Sequence, residues 1–294
     1  MKSAPFSYHR PGSVAEALQL KRELGSEARV LAGGQSLMPM MHFRIANPEH
    51  LIDINPLAEL AYTRRENGHL AVGARTRHAE LLDSVDAAAA APLLTRAVGW
   101  VGHAQIRHRG TVVGSIAHAD PSAEVPAAVL ALGGEVTAAS AGGSRTIAAA
   151  DLFTGPFTVS IQDDEIITEL RVPVWPDGTG AAFVEMSRIY HGFPVVGVAA
   201  LLHLADGVVD RVSVGLCGMA ANAITADLVG LVGSAPTAAA IEEAARAAVA
   251  VLEPPGDVHG STAYRKRVGT ALVRRALAEA AAGAEAAANP GGTR

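Results

Sequence analysis

The sequence predicts an α+β protein of two domains, and three observations carry that prediction. The chain of 294 residues is long enough for two domains that each bury a core without metal or disulfide staples. Helical and strand-like periods alternate irregularly up to about residue 176. Beyond it, three strand-like runs precede Ala-rich helical segments, which is the pattern of a small antiparallel sheet with helices on one face.

Taken in order, Ser13-Val14-Ala15-Glu16 reads as a capping box opening a helix over residues 14–24, with Gly25 closing it. A short β-like run at 29–32 ends abruptly in Gly33-Gly34. Further strands are predicted at 51–54, 70–74, 111–113 and 135–138, with helices near 78–82 and 92–101. Residues 165–173 read as a strand stopped by Pro173, and Trp175-Pro176-Asp177-Gly178 has the composition of a linking turn. The expected division is therefore 1–176, with lobes of about 1–55 and 56–176, followed by 177–294. In the second part, strands are predicted at 183–188, 195–204 and 212–219 and a helix near 237–251. Ser261 caps a last helix carrying Tyr264, Val268 and Leu272, and the Ala- and Gly-rich tail from 281 is expected to fray.

Composition removes several function classes. A net charge of −5 argues against a nucleic-acid or anionic-membrane surface. The one basic run, Arg265 to Arg267 with Arg274 and Arg275, is expected to be a solvated face or a subunit contact. No stretch approaches the roughly 20 apolar residues of a membrane span, and no export signal stands at the start, so the expected compartment is the cytoplasm. The single cysteine, Cys217, cannot hold an iron–sulfur cluster, which usually needs four thiolates, and reads as a small buried residue of a strand. His103, His108 and His118 lack metal-ligand spacing, so no metal site is expected. Ser115, His118 and Asp120 are the residue types of a hydrolase triad but lack the elbow that presents a nucleophile.

Chemistry concentrates in two segments. In the first, Ala32-Gly33-Gly34-Gln35-Ser36, two glycines follow a strand and precede a hydroxyl residue. Without a Cβ, the backbone amides can approach an anion closely. This is neither the Rossmann fingerprint nor a P-loop. The second segment, 109–121, repeats the theme with Gly110, Thr111, Gly114 and Ser115. Two such turns could clamp a diphosphate, or they could be unrelated turns.

Five motifs together, Ala-Gly-Gly-Gln-Ser-Leu at 32–37, Pro-Glu-His-Leu-Ile-Asp-Ile at 48–54, Arg-Gly-Thr-Val-Val-Gly-Ser-Ile-Ala-His-Ala-Asp-Pro at 109–121, Gly-Pro-Phe-Thr at 155–158 and Gly-Asp-Val-His-Gly-Ser at 256–261, resemble the medium, FAD-binding subunit of the aerobic carbon monoxide dehydrogenase and xanthine dehydrogenase family of molybdenum hydroxylases. The resemblance spans nearly the whole chain. It implies a two-lobed FAD-binding domain of the vanillyl-alcohol oxidase type followed by a C-terminal domain of antiparallel sheet and helices. It implies that Ala32, Gly33, Gly34, Gln35 and Ser36 line one side of the FAD diphosphate and Thr111, Gly114 and Ser115 the other. His118, Asp120 and Glu124 match positions along the ribityl chain and flavin ring, and Ile167 an apolar residue against the ring.

The same resemblance implies an oxidoreductase subunit with no catalytic side chain of its own for the organic substrate. Hydroxylation would occur at a molybdopterin cofactor in a large partner subunit, with two [2Fe–2S] clusters in a small subunit, the whole a dimer of heterotrimers. The flavin would accept electrons from the nearer cluster and pass them to an external acceptor. Two other readings stand beside it: a stand-alone flavin oxidase or reductase of the same fold, and a non-catalytic assembly subunit. Tyr190 and His191, after a predicted strand, fit either the flavin edge or a subunit contact.

Overall fold

The computed structural model describes residues 2–288. The first lobe contains β1 (Ser7–His9), α1 (Val14–Leu24), β2 (Ala28–Leu31), α2 (Leu37–His42) and β3 (His50–Asp53), with the strands parallel in the order β1-β3-β2. Parallel neighbours need crossovers, and α1 and α2 lie on these connections. Ser13 Oγ accepts the Glu16 amide at 3.2 Å as the capping box predicts, but the Glu16 carboxylate accepts from Gly12 N (2.7 Å), one residue further back. Lys21 is buried on α1. Its Nζ donates to the carbonyls of Gly25 and Ala28, and to that of Asp163 in the second lobe, which ties the lobes together.

The second lobe begins with β4 (Thr63–Glu66), β5 (His69–Gly73), α3 (His78–Leu82), α4 (Val85–Ala90), α5 (Pro92–Trp100), α6 (Ala104–Arg107), α7 (Val112–His118) and α8 (Glu124–Leu132). It continues through β6 (Glu135–Ser140), β7 (Gly143–Ala148), α9 (Ala149–Leu152), the hairpin β8 (Phe153–Gly155) and β9 (Thr158–Val159), and β10 (Ile166–Pro173). Five strands form an antiparallel sheet in the order β4-β5-β10-β6-β7. The strand expected at 111–113 is instead the start of α7. Thr111 Oγ1 accepts the Gly114 amide (3.1 Å) and caps the helix, while Val112, Val113 and Ile116 turn into the core. The β-branched run has strand propensity, but the cap and apolar burial on one helical side decide the outcome.

The C-terminal domain contains β11 (Gly180–Ser187), β12 (Pro194–Ala205), β13 (Val208–Cys217), β14 (Ile224–Thr225), α10 (Ala238–Ala250) and α11 (Thr262–Ala288). The strands are antiparallel in chain order. Asp206 and Gly207, with φ of 52° and 78°, supply the positive φ pair that a tight hairpin between β12 and β13 requires. Alternation along β12 separates two cores: Ala199 and Leu201 join that of the two N-terminal lobes, while Val198, Ala200 and Leu202 join that under α10 and α11. Glycines permit the close approaches on both faces. A Cβ on Gly180 would fall 1.8 Å from the Ala280 carbonyl of α11, and one on Gly215 would fall 1.9 Å from the Ala127 carbonyl of α8.

Two expectations fail here. The tail expected to fray from 281 remains helical through Ala288, because Ala281 and Ala284 are buried against the sheet; residues 289–294 lie outside the described residues. The basic run is not uniformly a solvated face, since Arg265 is buried and hydrogen-bonded to the carbonyls of Val195 and Gly218. Among the described residues, no helix is long and apolar enough to cross a membrane.

Candidate functional site

The two glycine turns are in direct contact. After β2 the chain reverses through residues 32–36, where Gly34 takes a left-handed backbone (φ 71°) that a residue without Cβ adopts at little cost. Gly33 has another role. A Cβ on it would lie 2.6 Å from the Arg109 carbonyl oxygen, 2.6 Å from the Gly110 Cα and 3.0 Å from the Thr111 nitrogen. Its missing side chain lets the first turn rest on the backbone of the second.

Polar side chains lock this contact. Asn55 Nδ2 donates to the Ala32 carbonyl (2.8 Å) and is held by Asp53 Oδ1, which accepts from the Asn55 side-chain and backbone amides. The Arg77 guanidinium donates to the Asn55 side-chain oxygen through one nitrogen and to the Arg109 carbonyl through the other. Backbone bonds from His78 N to Gly110 O (3.0 Å) and from Val112 N to Thr76 O (3.1 Å) fix the second turn from behind. Asn55 and Arg77 were not singled out by sequence reasoning. The signals for them are an Asx pattern after Asp53 and two arginines flanking Thr76 before a predicted helix.

Among the described residues, no hydrogen bond uses the backbone amides of Gly33, Gly34, Gln35 and Ser36, or those of Thr111 and Val113. Successive unpaired amides on a turn make an anion-binding concavity. Burial, then the positive charges of Arg75 and Arg109, holds the Arg77 guanidinium below its usual range, so three cations share this corner. Amide donors on two touching turns beside clustered cations fit a diphosphate, whose charge would also relieve the repulsion.

The remaining predicted residues extend from the second turn. Gly114 and Ser115 lie in the first turns of α7, where a Cβ on Gly114 would lie 2.4 Å from Thr111 Oγ1. His118 ends α7 half-buried, its ring 5.2 Å from that of Phe157, and burial lowers its pKa while Asp120 opposes the shift. Phe157 N donates to the Ala119 carbonyl (3.0 Å), which brings the 155–158 motif to this segment. Asp120 Oδ1 accepts from the Ser122 amide and hydroxyl (2.8 and 2.7 Å). Glu124 opens α8 and is buried, which raises its pKa to about 7. Ile167 pairs with Ala138 across β10 and β6 and is 5% exposed, so it offers a ligand little surface. The structure thus joins 32–36 to 109–111 directly and strings 114–124 from them, while Ile167 sits in the core.

Tyr190 and His191 lie in an exposed loop after β11. The His191 Nδ1 is 3.2 Å from the Trp100 carbonyl, and both rings pack on Trp100. Cys217 is fully buried at the end of β13, and burial holds its thiol well above the usual range. The 256–261 motif forms a separate structural knot. Asp257 accepts from the amides of His259 and Gly260 and pairs with buried Arg265 at 2.6 Å.

Comparison with known proteins agrees with this architecture. Residues 4–175 match the family model described as the FAD binding domain in molybdopterin dehydrogenase, and residues 181–280 match the CO dehydrogenase flavoprotein C-terminal domain. The chain is 41% identical to the 6-hydroxypseudooxynicotine dehydrogenase complex subunit alpha of Paenarthrobacter nicotinovorans, over 95% of this chain and 96% of that protein. It is 37% identical to the carbon monoxide dehydrogenase medium chain of Hydrogenophaga pseudoflava, over 92% and 96%. A solved carbon monoxide dehydrogenase from Hydrogenophaga pseudoflava superposes with a TM-score of 0.93 at 37% identity, covering 96% of this chain and 99% of that one. Quinoline 2-oxidoreductase from Pseudomonas putida 86 gives 0.92 at 32% identity, covering 97% and 99%. With both domains matched in order on an α+β fold, the chain belongs to the FAD-binding medium subunits of the carbon monoxide dehydrogenase and xanthine dehydrogenase family, the flavoprotein subunits of molybdenum-containing dehydrogenases.

Proposed function

We propose that this chain binds FAD between its two glycine turns, accepts electrons from a [2Fe–2S] partner subunit and passes them to an external acceptor. The observation that carries the reading is the contact of Gly33 with the Arg109–Thr111 backbone, with unpaired amides on both turns and three cations beside them. FAD, when bound, supplies transfer of electrons singly or in pairs. The chain's own residues bind and orient it: the amides of 33–36, Thr111 and Val113 hold the diphosphate, and Ala32, Gly114 and Ser115 shape the two walls. His118, Asp120 and Glu124 run along the ribityl chain toward the ring, with Ile167 behind it. The FAD-binding domain spans 1–176, with lobes of about 1–55 and 56–176, and the C-terminal domain spans 177–294.

The organic substrate is oxidised at a molybdopterin centre in a large partner subunit, two [2Fe–2S] clusters reside in a small one, and the complex is a cytoplasmic dimer of heterotrimers. The lone buried cysteine supports the placement of the clusters in a partner. Purification with co-expressed neighbouring subunits tests the reading. One FAD per chain is expected, with substrate oxidation only in the complex. A chain that cannot be loaded with FAD, or that oxidises an organic substrate alone, overturns it.

A further inference from the structure

One side-chain amide reaches both glycine turns. Asn55 follows the end of β3, and its Nδ2 donates to the Ala32 carbonyl of the first turn (2.8 Å) and to Asp53 Oδ1 (2.5 Å), while its Oδ1 accepts from the Arg77 guanidinium. The other arm of Arg77 donates to the Arg109 carbonyl, the atom that a Cβ on Gly33 would approach to 2.6 Å. The direction in which the Asn55 amide points therefore acts on both turns at once.

Asp53 fixes that direction. It is buried at the end of β3, in register with Leu31 at the end of β2. Its Oδ1 accepts from the backbone amide (2.9 Å) and the side-chain amide of Asn55, and its Oδ2 accepts from the Tyr8 hydroxyl. Tyr8 on β1 pairs with Leu51, two residues before Asp53, so the two side chains share a face of the sheet. A carboxylate only accepts, and so does the Ala32 carbonyl. A flipped Asn55 amide would set its oxygen against these two acceptors and its NH2 against the Arg77 guanidinium. One orientation satisfies every partner, and it is the one that turns Oδ1 to Arg77.

We propose that Asp53 is a positioning residue for the diphosphate corner: by orienting the Asn55 amide it holds the two glycine turns at one separation, and Tyr8 holds its carboxyl in turn. Among the described residues the Asp53 carboxyl bonds to Tyr8 and Asn55, so it acts on the turns through Asn55 and Arg77. The chain of bonds from Tyr8 through Asp53, Asn55 and Arg77 to Arg109 starts in the first lobe and ends in the second. Both turns are thereby ordered before a ligand arrives, and binding does not have to order them. Without the Asp53 carboxyl, the Asn55 amide is free to turn and Arg77 loses an acceptor held in a fixed place. Members of such a network depend on one another, so their contributions are not separable.

The brace rests on bonds within the chain, while its consequence for the cofactor rests on the FAD reading, and two measurements on the full chain keep them apart. The first is amide hydrogen exchange without ligand, on wild type, Asp53→Ala and Asp53→Asn. The amides of His78 and Val112 pin the second turn, and that of Ala149, bonded to the Gly134 carbonyl in the same lobe, serves as reference. Asp53→Ala should speed exchange at His78 and Val112 several-fold more than at Ala149, although the substitution lies in the first lobe. Asp53→Asn, whose side-chain oxygen can replace Oδ1, should not. No acceleration, or the equal acceleration at all three amides that a general loss of stability gives, overturns the proposal. The second measurement is FAD affinity of the folded protein. Asp53→Ala should lower it about tenfold, Asp53→Asn by no more than about threefold, and Asp53→Ala combined with Arg77→Met no further than Arg77→Met alone. Losses that add, or equal losses in the Ala and Asn variants, overturn the positioning role. If Asp53→Ala does not fold, Asn55→Ala cuts the same chain one link further on and must give the same pattern. The exchange pattern in a chain that binds no FAD supports the brace and refutes the cofactor reading alone.

Discussion

Gly33 and Gly110 belong to different turns, yet a Cβ on Gly33 would sit only 2.6 Å from the Gly110 Cα. The neighbouring atoms are backbone, so they cannot swing aside as a flexible side chain would. Any side chain at Gly33 must separate the turns whose amides are proposed to converge on one diphosphate.

Gly33→Ala is accordingly predicted to lower FAD affinity at least tenfold while the chain still folds, with overpacking costing about 1–3 kcal/mol of stability. Gly99→Ala is the matched control, because a Cβ on Gly99 meets nothing within 4 Å and lies in α5, where Ala is favoured over Gly by roughly 0.5–1 kcal/mol. Flavin fluorescence titration and circular dichroism on the same samples decide the matter. Equal FAD affinity in the two variants would remove the diphosphate from this corner.

Arg77→Lys should weaken FAD binding although it keeps the charge. A single ammonium cannot span the Asn55 oxygen and the Arg109 carbonyl as the planar guanidinium does. Losing one such charge-assisted bond costs about 1.5–3 kcal/mol, which corresponds to roughly ten- to hundredfold in affinity if the loss falls on the bound geometry. Titrations at low and high salt separate position from charge. Arg77→Lys should keep most of the wild-type salt dependence, and Arg77→Met should lose part of it.

Much of the scaffold around this corner was legible in the sequence. The capping box, the strand before Gly33-Gly34 and the three long C-terminal strands all follow from short-range patterns. The contact of Gly33 with Gly110 was not legible, because nothing local says which backbone a glycine leaves room for. Thr111-Val112-Val113 carried strand propensity and yet starts a helix. The helix α8 showed no period because it is buried on every side, between the second lobe and the C-terminal sheet. Arg265 read as one cation of a surface run, and only the fold shows that it is enclosed by β12 and β13. The strand predicted at 183–188 carries no sign that one of its faces is covered by the other domain, as Phe183 is.

His78 makes the stability of the second lobe depend on pH. Its ring is buried behind Gly110 with both nitrogens unpartnered, and burial, then Arg107 and Arg77, lowers its pKa to about 4. A depressed histidine favours the fold above its ordinary value of 6.5, and that contribution is lost as pH falls from 6.5 through about 4. His78→Leu should therefore lose less stability than wild type across this window, by up to about 3 kcal/mol at its lower end. Denaturant unfolding at pH 7 and pH 4.5 measures the difference. Parallel losses in the two proteins would show that His78 takes up its proton in the folded state as readily as in the unfolded one.

Asp257→Asn tests whether the 256–261 motif serves the cofactor or the fold. Arg265 is enclosed, and Asp257 is its ion-pair partner at 2.6 Å, so removing the carboxylate leaves a buried cation with carbonyl partners only. Because the Asp257 carboxylate is partly exposed, water offsets some of the loss, and a cost of about 1–3 kcal/mol is expected, or several degrees in Tm. The Arg265 hydrogen bond, followed by the His259 and Gly260 amides, holds the Asp257 carboxyl below its ordinary pKa, while burial opposes them. Its contribution is thus present above the ordinary carboxylate range and disappears as pH falls through the lowered value, so the gap between Asp257→Asn and wild type should close in acid. FAD affinity of the folded variant should stay within about twofold of wild type, since Asp257 pairs with Arg265, which binds the carbonyls of Val195 and Gly218 rather than the glycine turns. A folded Asp257→Asn protein that has lost its flavin would place the motif in the cofactor site and require the site drawn around residues 32–36 and 109–124 to be extended across the domain seam.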